Sequence, residues 1–232
     1  MIMAKKQKEK YRVIGTEIDK FGDDFSINDE AERKLVALQR RGREFSGFVD
    51  KDDLNGIQLG GPMSVNSDIS IPKKDFDFHT HPTSPTMPRD YGDKKVTRQE
   101  YACSVQKEII HSSMISPADA FMALQVRPLN NVPSLMVSEE IATKYYLKDT
   151  GKYDAFKEYT VKKDLGTVNE TNIQASLELA FRKIFHEEID ETYNKNQGFS
   201  NCDDKEISKR LKRRWYEFLV GIGMSIDEKY HE

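Results

Sequence analysis

Two apolar stripes at helical spacing fill the last third of the chain, and they constrain its fold most. Ile173, Leu177, Ala180, Phe181, Ile184, Phe185 and Ile189 mark one helix face. A polar stretch, Asn194–Asn201, reads as a linker. Ile207, Leu211, Trp215, Phe218, Leu219 and Ile222 then mark a second face. Such stripes must be buried against a partner. Residues 166–232 are therefore expected as a helical extension, a hairpin over 167–225, packed on a preceding α/β core.

The region before it has a different texture. Ala31, Leu35 and Leu38 recur at helical spacing from Asp29, and Arg40, Arg41 and Gly42 suit a helix end. A helix is expected over 29–41. Short segments of β-type composition follow at Glu44–Asp50, Gly56–Gly60, Ser64–Ile71 and Asp75–His81. Asn55-Gly56, Gly60-Gly61-Pro62 and Pro72-Lys73-Lys74 separate them as turn signals, which suggests a β-meander. Pro82, Pro85 and Pro88 end regular structure. Residues 83–115 read as a long polar loop or insertion, with a helix conceivable over Val96–Ile110. Ser116-Pro117-Ala118-Asp119 has helix-start chemistry: a capping serine, a proline suited to the first turn and an acid near the positive helix end. That helix should reach about Gln125. Pro133–Ser138 reads as a buried strand, Glu139–Leu147 is ambiguous, and Tyr159–Lys163 suggests another strand. The organisation expected is a lysine-rich flexible tail over 1–12, a core over 13–165 and the helical extension.

Composition narrows the class. Of 232 residues, 37% are hydrophobic and 32% charged, and 12 Phe and 10 Tyr supply a core, so disorder over the whole chain is not expected. No apolar run approaches the ~20 residues that cross a bilayer. The N-terminal stretch lacks the apolar segment of a signal peptide, and a cytoplasmic protein is expected. Cys103 and Cys202 can form neither a disulfide framework nor a cysteine-based zinc finger. A net charge of −3 gives no push toward nucleic acid.

The chemistry concentrates in Asp75-Phe76-Asp77-Phe78-His79-Thr80-His81-Pro82. Residues two apart in a strand share a face, so His79 and His81 can aim both imidazoles at one point. Two neutral imidazoles and a carboxylate make a good zinc shell. An isolated H-x-H is more often just two histidines at a strand end. Ser116 and Asp119, seen alone, are more often a simple helix cap. Glu44, alone, is an ordinary acid at a strand start. His111, His186 and His231 lack companions and read as structural or solvated.

In combination the residues say more. Glu44 opens Glu-Phe-Ser-Gly-Phe-Val after a helix, His79-Thr-His81-Pro82 follows, and Ser116-x-x-Asp119 opens another helix before a strand. In order and context this resembles the JAMM/MPN+ (JAB-type) zinc metallopeptidase family, over about residues 28–165. The resemblance implies a cytidine-deaminase-like α/β sandwich with a central mixed sheet. It implies one zinc per chain on His79, His81 and Asp119, with water at the fourth position. It gives Glu44 the proton transfer and Ser116 the hydrogen bond to the oxyanion. The activity implied is hydrolysis of an amide or isopeptide bond in a protein or peptide, including ubiquitin-like conjugates or a precursor protein.

One departure stands out. The family joins H-x-H-Pro to the serine by a short loop, whereas residues 82–115, 34 in all, separate His81 from Ser116 here. Either the loop carries an insertion, expected to cover the site and restrict substrates, or Asp119 is not the third ligand. Asp90 and Asp93 stand nearer the family spacing but lack a serine three residues before them. Three other readings compete. Asp77-x-His79-x-His81 resembles the D-x-H-x-H of barrel-type metal-dependent phosphoesterases and amidohydrolases, which place it on the first strand and need many later β/α units. An MPN-like scaffold without catalysis would typically lack the ligands. The basic run Ile207–Phe218 could serve nucleic acid, but a solvated helix face opposite Ile207, Leu211 and Trp215 explains it more simply.

Overall fold

A computed structural model of the chain describes residues 11–12, 29–41, 43–50, 53–60, 76–81, 97–100, 102, 114–125, 133–139, 141–164, 170–196 and 204–231. The order of elements is β1 (Tyr11–Arg12), α1 (Asp29–Gln39), β2 (Phe45–Asp50), β3 (Asp53–Leu59) and β4 (Phe76–Thr80). Then come α2 (Pro117–Gln125), β5 (Ser134–Val137), β6 (Ile141–Leu147), α3 (Thr150–Asp164), α4 (Glu170–Asn196), α5 (Asp204–Gly221) and β7 (Met224–Tyr230). The fold is α/β, built on one mixed sheet of order β1-β7-β6-β5-β4-β2-β3. Only β4 and β5 run parallel, and every other neighbouring pair is antiparallel.

The alternation of side chains along the strands assigns the two faces of the sheet. Phe76, Phe78, Leu135, Val137 and Ala142 point to one face, where Ala31 and Leu35 of α1 bury them. Met136, Tyr145, Met224 and Ile226 point to the other. There they meet Ala120, Ala123 and Leu124 of α2, Ile173 and Leu177 of α4, and Leu211, Trp215 and Leu219 of α5. Both expected stripes thus form a single core with α2 and the sheet.

Several expectations change. The three described β segments are not paired as a meander. β2 and β3 make a hairpin, but β4 pairs with the other edge of β2 and then runs parallel to β5. Asn55-Gly56 is not the turn. It lies inside β3, where the register slips between Ser46 and Phe48 and Gly56 takes φ 58°. A bulge with a left-handed glycine accounts for both. Tyr159–Lys163 is not a strand but part of α3. Tyr153, Phe156 and Thr160 share a helical face toward the core, and that packing overrides β-branched propensity. Of the ambiguous Glu139–Leu147, Ile141–Leu147 is β6.

Residues 222–230 are not helical: β7 sits inside the sheet between β1 and β6. Tyr11 and Arg12, expected in the tail, pair with Lys229 and Glu228. The basic face of α5 is not simply solvated. Arg210 bonds Glu188 and Thr192 of α4, Arg214 reaches Glu187, Glu188 and Glu191, and Lys212 pairs with the buried Glu228 of β7. Ser64–Ile71, Gly42 and most of residues 82–113 lie outside the described residues, as do Asp90 and Asp93. Among the described residues no helix is long and apolar enough to cross a membrane. Among the described residues the strands form one mixed sheet with a single parallel pair, not the eight parallel strands of the barrel that the phosphoesterase reading needs.

Gly47 lies opposite Phe78 across β2 and β4. A Cβ there would stand 2.7 Å from the Asn55 carbonyl oxygen and 2.9 Å from the Phe78 ring. Gly47→Ala should therefore destabilise by about 1–3 kcal/mol through overpacking, read by denaturant unfolding. A midpoint unchanged from the parent would show that β2 and Phe78 are not in this close contact.

Candidate metal centre

β4 carries His79 near its carboxyl end and His81 just beyond it, both on the α2 face. The main-chain N–H of His81 donates to the Val137 carbonyl (2.8 Å), and the Gln39 side-chain amide donates to the His81 carbonyl (3.1 Å). The backbone under both imidazoles is therefore pinned by β5 and by the end of α1. The histidines are 6% and 7% exposed. Their Nε2 atoms are 3.2 Å apart. At that distance one ring can donate an N–H to the other, or both nitrogens can face one cation.

Asp119 comes from the first turn of α2. Its main-chain N–H donates to Ser116 Oγ (3.1 Å), while the Ser116 N–H donates to Asp119 Oδ2 (2.9 Å). This reciprocal cap satisfies two helix-end donors at once and is worth roughly 0.5–2 kcal/mol. It also fixes the direction of the carboxylate. Oδ1 lies 3.5 Å from His79 Nε2 and Oδ2 lies 4.0 Å from His81 Nε2. The simple-cap reading and the ligand reading are thus both satisfied by one geometry.

A donor set of this kind fits a divalent ion. Zinc bonds to nitrogen and oxygen at ~2.0–2.2 Å, which sets ligand–ligand edges of roughly 3.4 Å in a tetrahedron. His79 Nε2 stands near that edge from both His81 Nε2 (3.2 Å) and Asp119 Oδ1 (3.5 Å), while His81 Nε2 comes within 4.0 Å of the other carboxylate oxygen, Oδ2. Among the described residues His79, His81 and Asp119 form a group able to hold a metal ion, their ligand atoms lying within 4.8 Å of one another. Burial pushes the Asp119 pKa up, but the imidazoles of His79 and His81 and the hydrogen bond from Ser116 outweigh it and hold the carboxyl well below its usual range. The group is therefore ionised, as a ligand must be.

Glu44 immediately precedes β2. The register sets Ser46 against His79, and Phe45 N–H donates to Thr80 Oγ1 (2.9 Å), so Glu44 enters beside the end of β4. Its carboxyl feels both His79 and Asp119. Burial, reinforced by Asp119 and opposed by His79, pushes its pKa up to about 7. It is not among the three converging ligand atoms. All five residues singled out in the sequence therefore lie around the carboxyl end of β4.

Sequence reasoning missed two supports. Gln39 is a buried polar residue beside the apolar face of α1, and that misplaced polarity was its only signal. Ile115 gave none, because its partners lie a hundred residues away. His231 has partners the sequence did not show: it bonds Glu32 of α1 and the Ser138 carbonyl just past the end of β5, and it is not one of the converging ligand atoms. His186 is exposed on α4, and His111 lies outside the described residues.

The fold and the donor set together define an α/β protein with a candidate divalent-metal centre at a strand end. Comparison with protein-family models, with curated proteins and with solved structures gives no match. The JAMM likeness thus rests on Glu44, His79, His81, Ser116 and Asp119 themselves.

Two outcomes follow. His79→Ala, His81→Ala and Asp119→Ala should each weaken zinc binding by more than the roughly 10–100-fold that loss of an outer partner costs, measured by competitive titration. Undiminished affinity in Asp119→Ala would transfer the third position to another acid, Asp90 first. For Glu44, a folded-state pKa near 7 against an ordinary 4.5 means the folded chain holds the extra proton between those values. Its contribution to stability then falls as pH rises through them. Glu44→Gln should accordingly stabilise the metal-free protein more at about pH 8 than at about pH 5, read by thermal unfolding in chelator. An equal shift at both would contradict the buried setting of Glu44.

Proposed function

We propose that this protein is a zinc-dependent peptidase of JAMM type, hydrolysing an amide or isopeptide bond in a ubiquitin-like conjugate or a precursor protein. The observation that carries the reading is the convergence of His79, His81 and Asp119 beside a carboxyl, Glu44, that is not itself a ligand. A bound zinc would supply Lewis acidity and bring the pKa of water toward neutrality.

The chain's own groups divide the remaining work. Glu44 takes the proton of the attacking water and delivers it to the leaving amine. A pKa near the operating pH suits both halves of that task. Ser116 Oγ accepts from the Asp119 N–H, which leaves its O–H as the donor for the oxyanion. Asp119 stays ionised and holds its place through the cap. The carboxyl end of a parallel strand beside a helix N-terminus is also the usual ligand crevice of open α/β sheets. A non-catalytic scaffold has no need of the buried ligand set or of the raised carboxyl, so peptidase activity is the better reading.

Glu44→Gln separates catalysis from binding, because it keeps size and hydrogen bonding but removes the base. The variant should hold zinc with parental affinity and lose roughly 10²–10⁴-fold in turnover on an isopeptide-linked substrate. Full turnover in the variant would remove Glu44 from the mechanism, and loss of zinc would make it a ligand.

A further inference from the structure

Ile115 immediately precedes the Ser116 cap, and it is fully buried. A buried backbone N–H and C=O must find partners. Here both partners are side chains of α5. The Trp215 indole Nε1–H donates to the Ile115 carbonyl (2.8 Å), and the Ile115 N–H donates to the Tyr216 hydroxyl (3.2 Å). Trp215 and Tyr216 are themselves fully buried. Adjacent residues of one helix thus grip both polar groups of one residue about a hundred positions away.

From Ile115 to Asp119 the chain has little freedom. Pro117 fixes its own φ. Ser116 N–H bonds Asp119 Oδ2, Asp119 N–H bonds Ser116 Oγ, and Ala120 N–H bonds the Ser116 carbonyl (3.0 Å). Any displacement of Ile115 is therefore passed to the Asp119 carboxylate. The histidines are tied to β5 and α1 and do not move with it. Metal–ligand distances tolerate only about 0.2 Å.

We propose that Trp215 and Tyr216 are positioning residues of the metal centre, holding Asp119 at bonding distance through the backbone of Ile115. The inference rests on reading His79, His81 and Asp119 as a metal site. It makes the C-terminal hairpin part of that site: the geometry of one ligand is set by α5.

Conservative variants test it. Trp215→Phe keeps a ring to stack on Phe218 and meet Phe181 edge-on, but loses the donor. Tyr216→Phe loses only the hydroxyl. Leu219→Ala is the control, since it removes packing from the same helix and touches neither polar group of Ile115. Purified folded proteins are titrated with zinc against a competing chelator, and their cobalt(II) forms are compared by visible absorption. Each of the first two variants should bind zinc about tenfold more weakly, the lower end of the effect of an outer partner. Their cobalt bands should shift or lose intensity, while Leu219→Ala keeps parental affinity and spectrum at reduced stability. Parental affinity and spectrum in both Trp215→Phe and Tyr216→Phe would overturn the inference and leave the metal centre standing, as would an equal loss in Leu219→Ala. A parent protein that binds neither ion would refute the metal centre itself, and the inference with it.

Discussion

The parallel pairing of β4 with β5 is the constraint on which the site depends. Two parallel neighbours cannot be joined by a tight turn. The chain must leave the carboxyl end of the first, cross one face and return to the amino end of the second. α2 lies on that crossing. Its N-terminus lies at the end of β4 where His79 and His81 emerge, and the parallel crossover lets the ligands from β4 and α2 meet there. The positive end of α2 also favours an ionised carboxylate there, which adds to the pull of the imidazoles. Had β4 and β5 been antiparallel, Asp119 would have no topological reason to lie near the histidines.

Around that junction the structure balances burial against polarity. Burial works against ionisation of both carboxyls, but only Asp119 has enough opposing interactions to stay ionised; Glu44 does not, and its pKa rises. One acid is thereby suited to holding a cation and the other to moving a proton. The same logic recurs in β7. Glu228 is fully buried and meets Lys212 of α5, while Lys229 meets Glu32 of α1. A central strand can carry adjacent opposite charges because each sheet face has a helix that answers one of them. Such pairs add little net stability, but removing one partner strands a buried charge and is costly.

These paired charges also explain what the sequence hid. Asp227-Glu228-Lys229 has the composition of an exposed turn, so β7 went unseen and the tail of the hairpin was expected to be helical. Tyr159, Thr160 and Val161 favour a strand locally, but Tyr153, Phe156 and Thr160 needed one helical face on the core. Legible from the start were elements with strong local periodicity: α1, α4, α5, β4 and the start of α2. The candidate site was legible because both its parts are local, two imidazoles at strand spacing and an acid three residues after a capping serine. The junction of those parts is a property of strand order, which no local pattern encodes. The clamp of α5 on Ile115 was invisible for the same reason.

The central claim is that one metal ion is held by His79, His81 and Asp119. Diffraction from crystals of the zinc-loaded protein, recorded on both sides of the zinc absorption edge, locates that ion without reference to activity. The account predicts one anomalous peak per chain, at ~2.0–2.2 Å from His79 Nε2, His81 Nε2 and an Asp119 carboxylate oxygen. A peak bound by other residues, or none at this strand end, would contradict it.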